Sequence, residues 1–302
     1  NKITKIRKVV PSIATGIVLD DNLSQIDESE IFSKFQPFEG YYPSCFNIDF
    51  YGSLVRRSFY NLDDYPTKVF QSKQIPFVDE EYFEWIDVLE SINLAKNNFT
   101  MVELGAGFGR WLVSAAVLLK NQKNIPFRLI GVEAEKNHFN MMKQHFIDNG
   151  LDPTEHNLIQ AAVTKNDTTV HFSQGSSSEW WGQSIVSSNE KIEDFPDSKV
   201  EAIQGLSINT ILKNTDFVDL IDIDIQGEES NAIGSSLKTL NDKVKRIHIG
   251  THSPEIEETL FNYFSDLGWI CYNNLSCNNK HKTPYGDVSF QDGIQTWINP
   301  SI

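Results

Sequence analysis

One stretch in the first half of the chain, FTMVELGAGFGRW at residues 99–111, most constrains the fold. An apolar run of strand length ends on Glu103, three alternating glycines follow it, and the residues from Trp111 onward have a helical apolar spacing. Glycine lets the backbone turn through positive φ and approach a ligand closely, and a helix N-terminus points unpaired N–H groups into the same space. The pattern predicts a strand, a glycine turn and a helix that hold a cofactor. A turn of the same shape without a ligand is the alternative.

The spacing of the glycines distinguishes between cofactors. A dinucleotide fingerprint needs G-x-G-x-x-G, whereas this loop reads G-A-G-F-G from Gly105, and Arg110 stands where the last glycine should be. Glu103 would also repel the phosphates of a dinucleotide and would suit a ligand that carries an ammonium group. NAD(P) is therefore disfavoured. The pattern E-x-G-x-G-x-G resembles motif I of the class I methyltransferases, which bind S-adenosylmethionine (SAM).

Two further predicted strands end in residues that suit an adenosine. FRLIGVEAE ends near Glu133, whose carboxylate at a strand tip could accept hydrogen bonds from both ribose hydroxyls. A glutamate in a surface salt bridge is the alternative. HNLIQAAVT brings Ala161 and Ala162 to the same edge, where small side chains would let an adenine ring lie flat.

The segment VDLIDIDIQGEES is predicted to be the fourth strand of the sheet. Its period of two puts Asp222 and Asp224 on one face near the carboxyl end, where open α/β sheets bind ligands. They would contact the SAM ammonium indirectly, orient a substrate hydroxyl or bind a divalent metal. The alternative is that helix N-termini and other backbone N–H groups satisfy these two carboxylates by hydrogen bonds. His252 follows the fifth strand at the ligand edge, whereas His248 lies inside that strand and is predicted to be a core histidine. A helix is expected from about Glu228 to Leu240, and Ser253 is expected to cap a helix that has Pro254 at its first position.

The amino-terminal part, residues 1–78, lacks helical periodicity and predicts an irregular cap on a SAM-binding domain at residues 79–302. Within the cap, CFNIDFYGSLVRRSFY suggests a short hairpin with Arg56 and Arg57 at its tip. A solvated or salt-bridged surface is the main interpretation of these arginines, and contact with an anionic substrate is the alternative.

The Gly/Ser-rich sequence around TTVHF and SSSEWWGQSIV suggests an excursion of the chain before the fourth strand of the sheet. The second of these segments contains two adjacent tryptophans, Trp180 and Trp181. A large exposed apolar patch seldom lacks a purpose, so this surface is expected to be covered by the cap or by a ligand.

The composition restricts the partners. The 302 residues include 41 acidic and 26 basic side chains, and the formal net charge of −15 would repel nucleic acid and anionic membranes. The apolar runs are too short for a membrane span, and no secretory h-region is seen at the amino terminus. The three cysteines form no CxxC pair, so neither a disulfide framework nor a zinc site is indicated, and a reducing cytoplasm is expected.

The match to known methyltransferases extends beyond motif I. In order, the segments VELGAGFGRW, GVEAE, IQAAV, WWGQSIV, LSINTIL, VDLIDIDIQGEE and IHIGTHS resemble the FkbM family of SAM-dependent methyltransferases over about the last two thirds of the chain. Members often have a lysine at the start of the IDIDIQGEE block, where this chain has Asp222. The resemblance implies a Rossmann-like α/β fold with a mostly parallel seven-stranded sheet, flanking helices and a reversed last hairpin. It also implies O-methylation of sugars or natural products.

The motifs and the resemblance together define a candidate site, with SAM as cofactor and no assigned metal-ligand set. The residues expected to bind the cofactor are Glu103, Gly105, Ala106, Gly107, Arg110, Trp111, Glu133, Ala134, Ala161 and Ala162. The residues expected to contact the acceptor are Trp180, Trp181, Arg56 and Arg57.

The expected chemistry is direct displacement, in which an acceptor hydroxyl attacks the SAM methyl group while a base takes up the hydroxyl proton. His252 is the first candidate for the base because an unperturbed imidazole titrates near neutral pH. Asp224 is the second candidate, and Asp222 is also a catalytic candidate. A SAM-fold protein without catalysis, and a nucleotide-sugar or NAD-dependent enzyme on a related sheet, are the alternative functions.

Overall fold

The computed structural model describes residues 29–71, 75–174, 184–185 and 199–302. The α-helices in these ranges are α1 Glu80–Leu94, α2 Arg110–Leu118, α3 Lys136–Asp148, α4 Ile208–Ile211, α5 Glu229–Gly234, α6 Leu237–Lys243 and α7 Pro254–Asp266. The first strands are β1 Gly40–Tyr42, β2 Phe46–Ile48, β3 Leu54–Arg56, β4 Val69–Gln71, β5 Phe99–Leu104, β6 Phe127–Glu133, β7 Asn157–Gln160 and β8 Ala162–Val163. The remaining strands are β9 Thr168–Gln174, β10 Ser184–Ile185, β11 Lys199–Leu206, β12 Leu220–Ile223, β13 Arg246–Thr251, β14 Ile270–Leu275, β15 Asn279–Thr283, β16 Gly286–Phe290 and β17 Gly293–Ile298.

A seven-stranded sheet forms the centre of the molecule, in the order β14-β17-β13-β12-β5-β6-β7. Strands β7, β6, β5, β12 and β13 pair in parallel, and β17 runs antiparallel to both β13 and β14. The predicted Rossmann-like sheet with a reversed last hairpin is thereby confirmed, and β17 is the strand that reverses.

Both faces of the sheet are covered, which is why β5 is buried along its whole length. One apolar core joins the sheet to α1, α2 and α3, and the other joins it to the helices between β11 and β14. Burial on two faces explains why the central strands have near-continuous apolar sequences rather than alternating ones.

The described part of the amino-terminal segment packs on the first of these cores. Phe32 stacks on Tyr82 of α1 with ring centroids 4.8 Å apart, and Tyr51 packs edge-on to Trp85. Strands β2 and β3 form the predicted hairpin, but its turn is the acidic and aromatic stretch 49–53. The expectation of a basic tip is wrong, because Arg56 pairs with Phe46 at the open end of the hairpin.

A smaller four-stranded sheet, in the order β10-β9-β11-β8, forms between β7 and β12. It corresponds to the predicted excursion before the fourth strand of the main sheet. Trp180 and Trp181 belong to this part of the sequence and lie outside the described residues.

The region after β12 corrects one prediction. The sequence suggested a single helix from about Glu228 to Leu240, whereas the structure has two helices that are separated at Ser235 and Ser236. Glycine and serine are weak helix formers, and the Ser235 hydroxyl donates to the carbonyl of Ala232. In contrast, α7 begins at Pro254 with Ser253 as its N-cap, as predicted.

Among the described residues, no helix has the length and apolar character to cross a membrane.

Candidate functional site

The glycine turn brings the ends of β5 and β12 into direct contact. Gly105 has a φ of +80°, and a Cβ on it would lie 1.7 Å from the carbonyl oxygen of Asp224. The Asp224 N–H donates to the carbonyl of Leu104, which fixes the other side of this contact. Only glycine fits here, because any side chain would overlap the backbone of the neighbouring strand.

A cavity with an open volume of about 640 Å³ lies at this edge of the sheet, and we call it the glycine-turn cavity. The cavity is lined by Gly105, Gly107, Val132, Glu133, Ala134, His138, Ala161, Ala162, Val163, Phe172, Asp224, Ile225 and Gln226. It lies where parallel strands end and the first helix after the glycine turn begins, which is the usual ligand edge of an open α/β sheet.

Glu133 presents a buried carboxylate to the glycine-turn cavity. Its Oε2 accepts a hydrogen bond from the N–H of Gly107 at 2.7 Å, and its Oε1 accepts one from the N–H of Glu135, also at 2.7 Å. Burial raises the pKa of Glu133 to about 7, against the lowering effect of these two N–H groups. Two backbone donors therefore hold the carboxylate in one orientation, with each oxygen able to accept a further hydrogen bond.

Small and aromatic side chains form another wall of the cavity. Ala161 and Ala162 are buried at its edge, as the third-strand pattern suggested, and Phe172 of β9 also lines it. Sequence reasoning missed Phe172 and His138. Phe172 reaches the cavity only because β9 pairs with β11, which the local sequence does not disclose. His138 had a usable signal, since it lies in the first turn of the helix that follows Glu133.

Four of the expected cofactor residues lie outside the lining of the cavity. The carboxylate of Glu103 accepts the N–H of Leu112 at 3.1 Å, so it caps the start of α2. Arg110 forms a two-point ion pair with Glu81 of α1, and Trp111 packs edge-on to Trp85. Ala106 is buried in the core beside α2. In the structure these residues attach the glycine turn to the helices around it.

Asp222 and Asp224 have different surroundings, in contrast to the expected shared face. Strand β12 ends at Ile223, so Asp224 lies beyond the strand and its side chain is 52% exposed at the cavity. Asp222 is buried near Glu84 and His248. Burial raises the pKa of Asp222 to about 7, although the nearby His248 opposes this shift. Asp224 is therefore the accessible member of the pair.

His252 lies between two carboxylates. Its Nδ1 donates to Oε1 of Glu229 at 2.9 Å, and its Nε2 lies 3.3 Å from Oδ1 of Asp224. Burial alone would lower the pKa of His252, but the two carboxylates outweigh burial and raise this pKa to about 10. The premise that His252 titrates near neutral pH is wrong, because an imidazole with this pKa is protonated at pH 7 and cannot accept another proton.

The two expected anion-binding arginines are engaged elsewhere. Arg56 donates two hydrogen bonds to the carboxylate of Asp148 on α3. Arg57 donates to Oδ1 of Asn47 at 2.8 Å, and its guanidinium lies 3.8 Å from the centre of the Tyr65 ring. The Arg56 contact agrees with the salt-bridged interpretation, Arg57 contacts an amide and an aromatic ring instead, and neither arginine lines the glycine-turn cavity.

His248, in contrast, is the satisfied core histidine that the sequence predicted. It is buried, and its Nδ1 donates to Oδ2 of Asp87 at 2.7 Å.

Comparison with known proteins identifies a family for most of the chain. Residues 103–283 match the family model described as the methyltransferase FkbM domain. The chain is 27% identical over 232 residues to a protein of Jannaschia sp. (strain CCS1) to which a methyltransferase activity has been assigned by inference. The match covers 72% of this chain and 79% of that protein.

Solved structures with a similar fold include methyltransferase FkbM from Methylobacillus flagellatus KT. The TM-score is 0.42 at 16% identity, and the match covers 68% of this chain but only 45% of that protein. M. capricolum TrmK in complex with S-adenosylhomocysteine (SAH) is also similar, with a TM-score of 0.38 and 10% identity over 70% of this chain and 67% of that one.

Proposed function

The chain belongs to the FkbM family of methyltransferases, and we propose that it transfers a methyl group from SAM to a hydroxyl group of a saccharide or a related small molecule. The observation that carries the proposal is the Glu133 carboxylate, held by two backbone N–H groups at the edge of the glycine-turn cavity. A ribose with two neighbouring hydroxyls matches the two oxygens of this carboxylate.

The rest of the cavity suits the other parts of SAM. Ala161 and Ala162 leave room for a flat ring, and Phe172 offers an aromatic surface for it. The close approach of the Asp224 carbonyl to Gly105 leaves backbone rather than side chains at the end of the cavity near the glycine turn. A carbonyl oxygen there is a suitable acceptor for an ammonium group.

When bound, SAM supplies an electrophilic methyl group on a sulfonium, so an acceptor oxygen can bond to the methyl carbon as the carbon–sulfur bond breaks and a neutral thioether leaves. The chain has to align the acceptor oxygen with that methyl group and exclude water, and alignment alone can contribute several kcal/mol. Asp224 is the group we assign to accept the hydrogen bond and then the proton of the acceptor hydroxyl, because it lines the cavity and its side chain is 52% exposed. At neutral pH, protonated His252 would hold the Asp224 carboxylate in place rather than act as the base.

The acceptor is proposed to be small. The formal net charge of −15 disfavours a polyanionic acceptor such as a nucleic acid. The resemblance of the IDIDIQGEE block to the FkbM family supports a saccharide or a natural product as the acceptor class. A screen with methyl-labelled SAM against saccharides, sugar nucleotides and RNA would identify it, and label appearing in RNA alone would contradict the proposal.

Cofactor binding can be tested before the acceptor is known. We expect calorimetry to detect binding of SAM and SAH to the purified chain, and we expect Glu133→Gln to weaken it. Loss of a hydrogen bond to a charged group costs about 1.5–3 kcal/mol, which corresponds to roughly 10- to 150-fold in affinity.

The matched control is Glu155→Gln, which removes an exposed carboxylate outside the cavity and should leave the affinity unchanged. Absence of heat with the wild-type chain would overturn the assignment of SAM. An unchanged affinity in a folded Glu133→Gln variant would remove Glu133 from the cofactor site.

A further inference from the structure

A cluster of three ligand-type side chains lies beside the exit of β12. Asp224, Glu229 and His252 each offer one potential ligand atom, and these three atoms lie within 4.8 Å of one another. Two oxygens on opposite sides of one divalent ion, with bonds of about 2.1–2.6 Å, are separated by about 4.2–5.2 Å. The three side chains are therefore close enough to share one ion.

Glu229 supplies an independent indication of a missing partner. The side chain is fully buried, and its Oε1 already accepts from the N–H of Gly227 at 3.0 Å and from Nδ1 of His252 at 2.9 Å. Its Oε2 is also buried, yet it has no hydrogen-bond partner among the described residues. A buried carboxylate oxygen without a partner is costly, and a bound ion is one of the few groups that can satisfy it.

His252 has the orientation that metal-binding histidines usually have. Its Nδ1 is held by the carboxylate of Glu229, and its Nε2 is buried and faces Asp224 without an aligned hydrogen bond. A carboxylate on one ring nitrogen fixes the ring and leaves the other nitrogen free to bind a metal. A cation at Nε2 would replace the proton between this nitrogen and Asp224, while Nδ1 keeps its proton on Glu229.

The charge around the cluster is negative on more than one side. Asp292, in the turn between β16 and β17, is close enough for its carboxylate to be influenced by His252, Asp224 and Glu229. The two carboxylates of the cluster thus have a third one near enough to add to the negative charge, so a doubly charged cation would relieve their repulsion.

The second mixed cluster in the described residues, formed by Glu84, Asp222 and His248, does not have these properties. It lies outside the lining of the glycine-turn cavity, and Nδ1 of its histidine already donates to Asp87 in a buried network. Asp224, in contrast, opens onto the cavity, so an ion can reach it from solvent.

We propose that Asp224, Glu229 and His252 form a divalent-cation site at the edge of the glycine-turn cavity. Carboxylate oxygens with one imidazole nitrogen suit Mn²⁺ and Mg²⁺, with water or a bound oxygen ligand in the remaining positions. The use of the ion rests on the proposed function: it would bind the acceptor oxygen and favour transfer of the hydroxyl proton to the free carboxylate oxygen of Asp224. The binding site itself does not depend on that function.

Manganese is the probe for the test, because bound and free Mn²⁺ are distinguished by electron paramagnetic resonance. The titration uses the full chain without SAM or acceptor, so a negative result would refute the cation site while leaving methyl transfer open. We expect one saturable Mn²⁺ per chain, with competition by Mg²⁺. We expect Asp224→Asn to weaken binding by tenfold or more.

Glu228→Gln is the matched control, because it alters the neighbouring carboxylate, which accepts from the side chain of Asn231 instead. It should change the affinity by less than twofold. Unfolding curves show whether each variant is folded, and Asp224→Asn is expected to fold because its side chain is half exposed.

Pulsed resonance on the bound ion supplies a signature that a purely structural role would not give. The spectrum should contain the hyperfine coupling of an imidazole nitrogen, and His252→Gln should remove it. The proposal is overturned if Mn²⁺ does not saturate the chain below about 1 mM, the weak end of protein sites for such ions. It is also overturned if Asp224→Asn binds as tightly as wild type, or if the nitrogen coupling persists in His252→Gln.

Discussion

Glu133 is subject to two opposing effects. Burial disfavours its charge, while the N–H groups of Gly107 and Glu135 favour that charge, and the balance raises the pKa of the side chain to about 7. A ribose that donates hydrogen bonds to the carboxylate would favour the ionised form further. Binding of an adenosyl ligand should therefore depend on pH in the neutral range.

The direction of this dependence follows from the raised pKa. Below pH 7 the carboxyl group is mostly protonated in the free protein, and the ligand must displace that proton, so affinity rises as pH rises through about 7. If only the ionised form binds, the dissociation constant for SAH should be about tenfold lower at pH 8 than at pH 6.

The measurement is calorimetry with SAH across this range. In Glu133→Gln this change of SAH affinity with pH should disappear. The variant thus separates the effect of the carboxylate from the titration of the ligand's own amino group. An identical pH profile in wild type and variant would show that Glu133 is not the titrating group.

At the scale of elements, the contact between β5 and β12 depends on one residue. Gly105→Ala would place a Cβ 1.7 Å from the Asp224 carbonyl oxygen at a φ of +80°, so the two strand ends would have to separate. We expect a loss of about 3 kcal/mol or more in the free energy of unfolding, measured by denaturant titration.

Gly227→Ala is the control for the backbone conformation alone. Gly227 also has a positive φ, of +102°, but a Cβ there would meet no atom within 4 Å. Gly227→Ala should lower the free energy of unfolding only by the penalty of placing a side chain at positive φ, about 1–2 kcal/mol. Equal losses for the two variants would show that the overlap at Gly105 is relieved without cost.

A buried polar network joins helix α1 to the sheet. Oδ1 of Asp87 accepts from Arg246, and its Oδ2 accepts from His248 and from Thr296. Burial would raise the pKa of Asp87, but the hydrogen bond from His248 and the charge of Arg246 outweigh burial and lower it. The network therefore attaches α1 to β13 and β17 through one ionised carboxylate.

Removal of that charge should leave Arg246 buried without its main partner. We expect Asp87→Asn to lower the free energy of unfolding by about 3–5 kcal/mol. Glu90→Gln, which affects the more exposed partner of the same arginine, should cost about 1 kcal/mol or less. If both variants unfold at the same denaturant concentration, the buried contact is no stronger than the surface one.

At the scale of the whole molecule, the amino-terminal segment is docked by contacts to α3. The Asn149 side chain accepts from the N–H of Leu54 and donates to the carbonyl of the same residue. Beside it, Arg56 and Asp148 form an ion pair. The division into a cap of residues 1–78 and a domain of residues 79–302 remains a prediction, although the described part of the cap shares an apolar core with α1 and α2.

Asn149→Ala removes both hydrogen bonds to the hairpin. At about 0.5–1.5 kcal/mol each, their loss should increase amide hydrogen exchange in residues 46–56 by roughly fivefold or more, while β5 remains protected. Asn140→Ala, at an exposed position within α3, is the control. Equal increases in β5 and the hairpin would mean that the two regions unfold together.

The sequence by itself determined the elements that depend on local periodicity. The glycine turn, the strand that ends at Glu133, the N-cap at Ser253 and the order of strands in the family pattern were all predictable, because each depends on residues that are neighbours in the chain. The position of the glycine-turn cavity, with Glu133 and Ala161 in its lining, follows from that order.

Only the tertiary structure decided how the charged groups share the site. Asp222 and Asp224 separate because β12 ends between them, and Glu103 turns to the start of α2. The raised pKa of His252 depends on Asp224 and Glu229, which are 28 and 23 positions away in the chain. A pKa depends on burial and on the nearest charges in space, and spacing along the sequence does not disclose either.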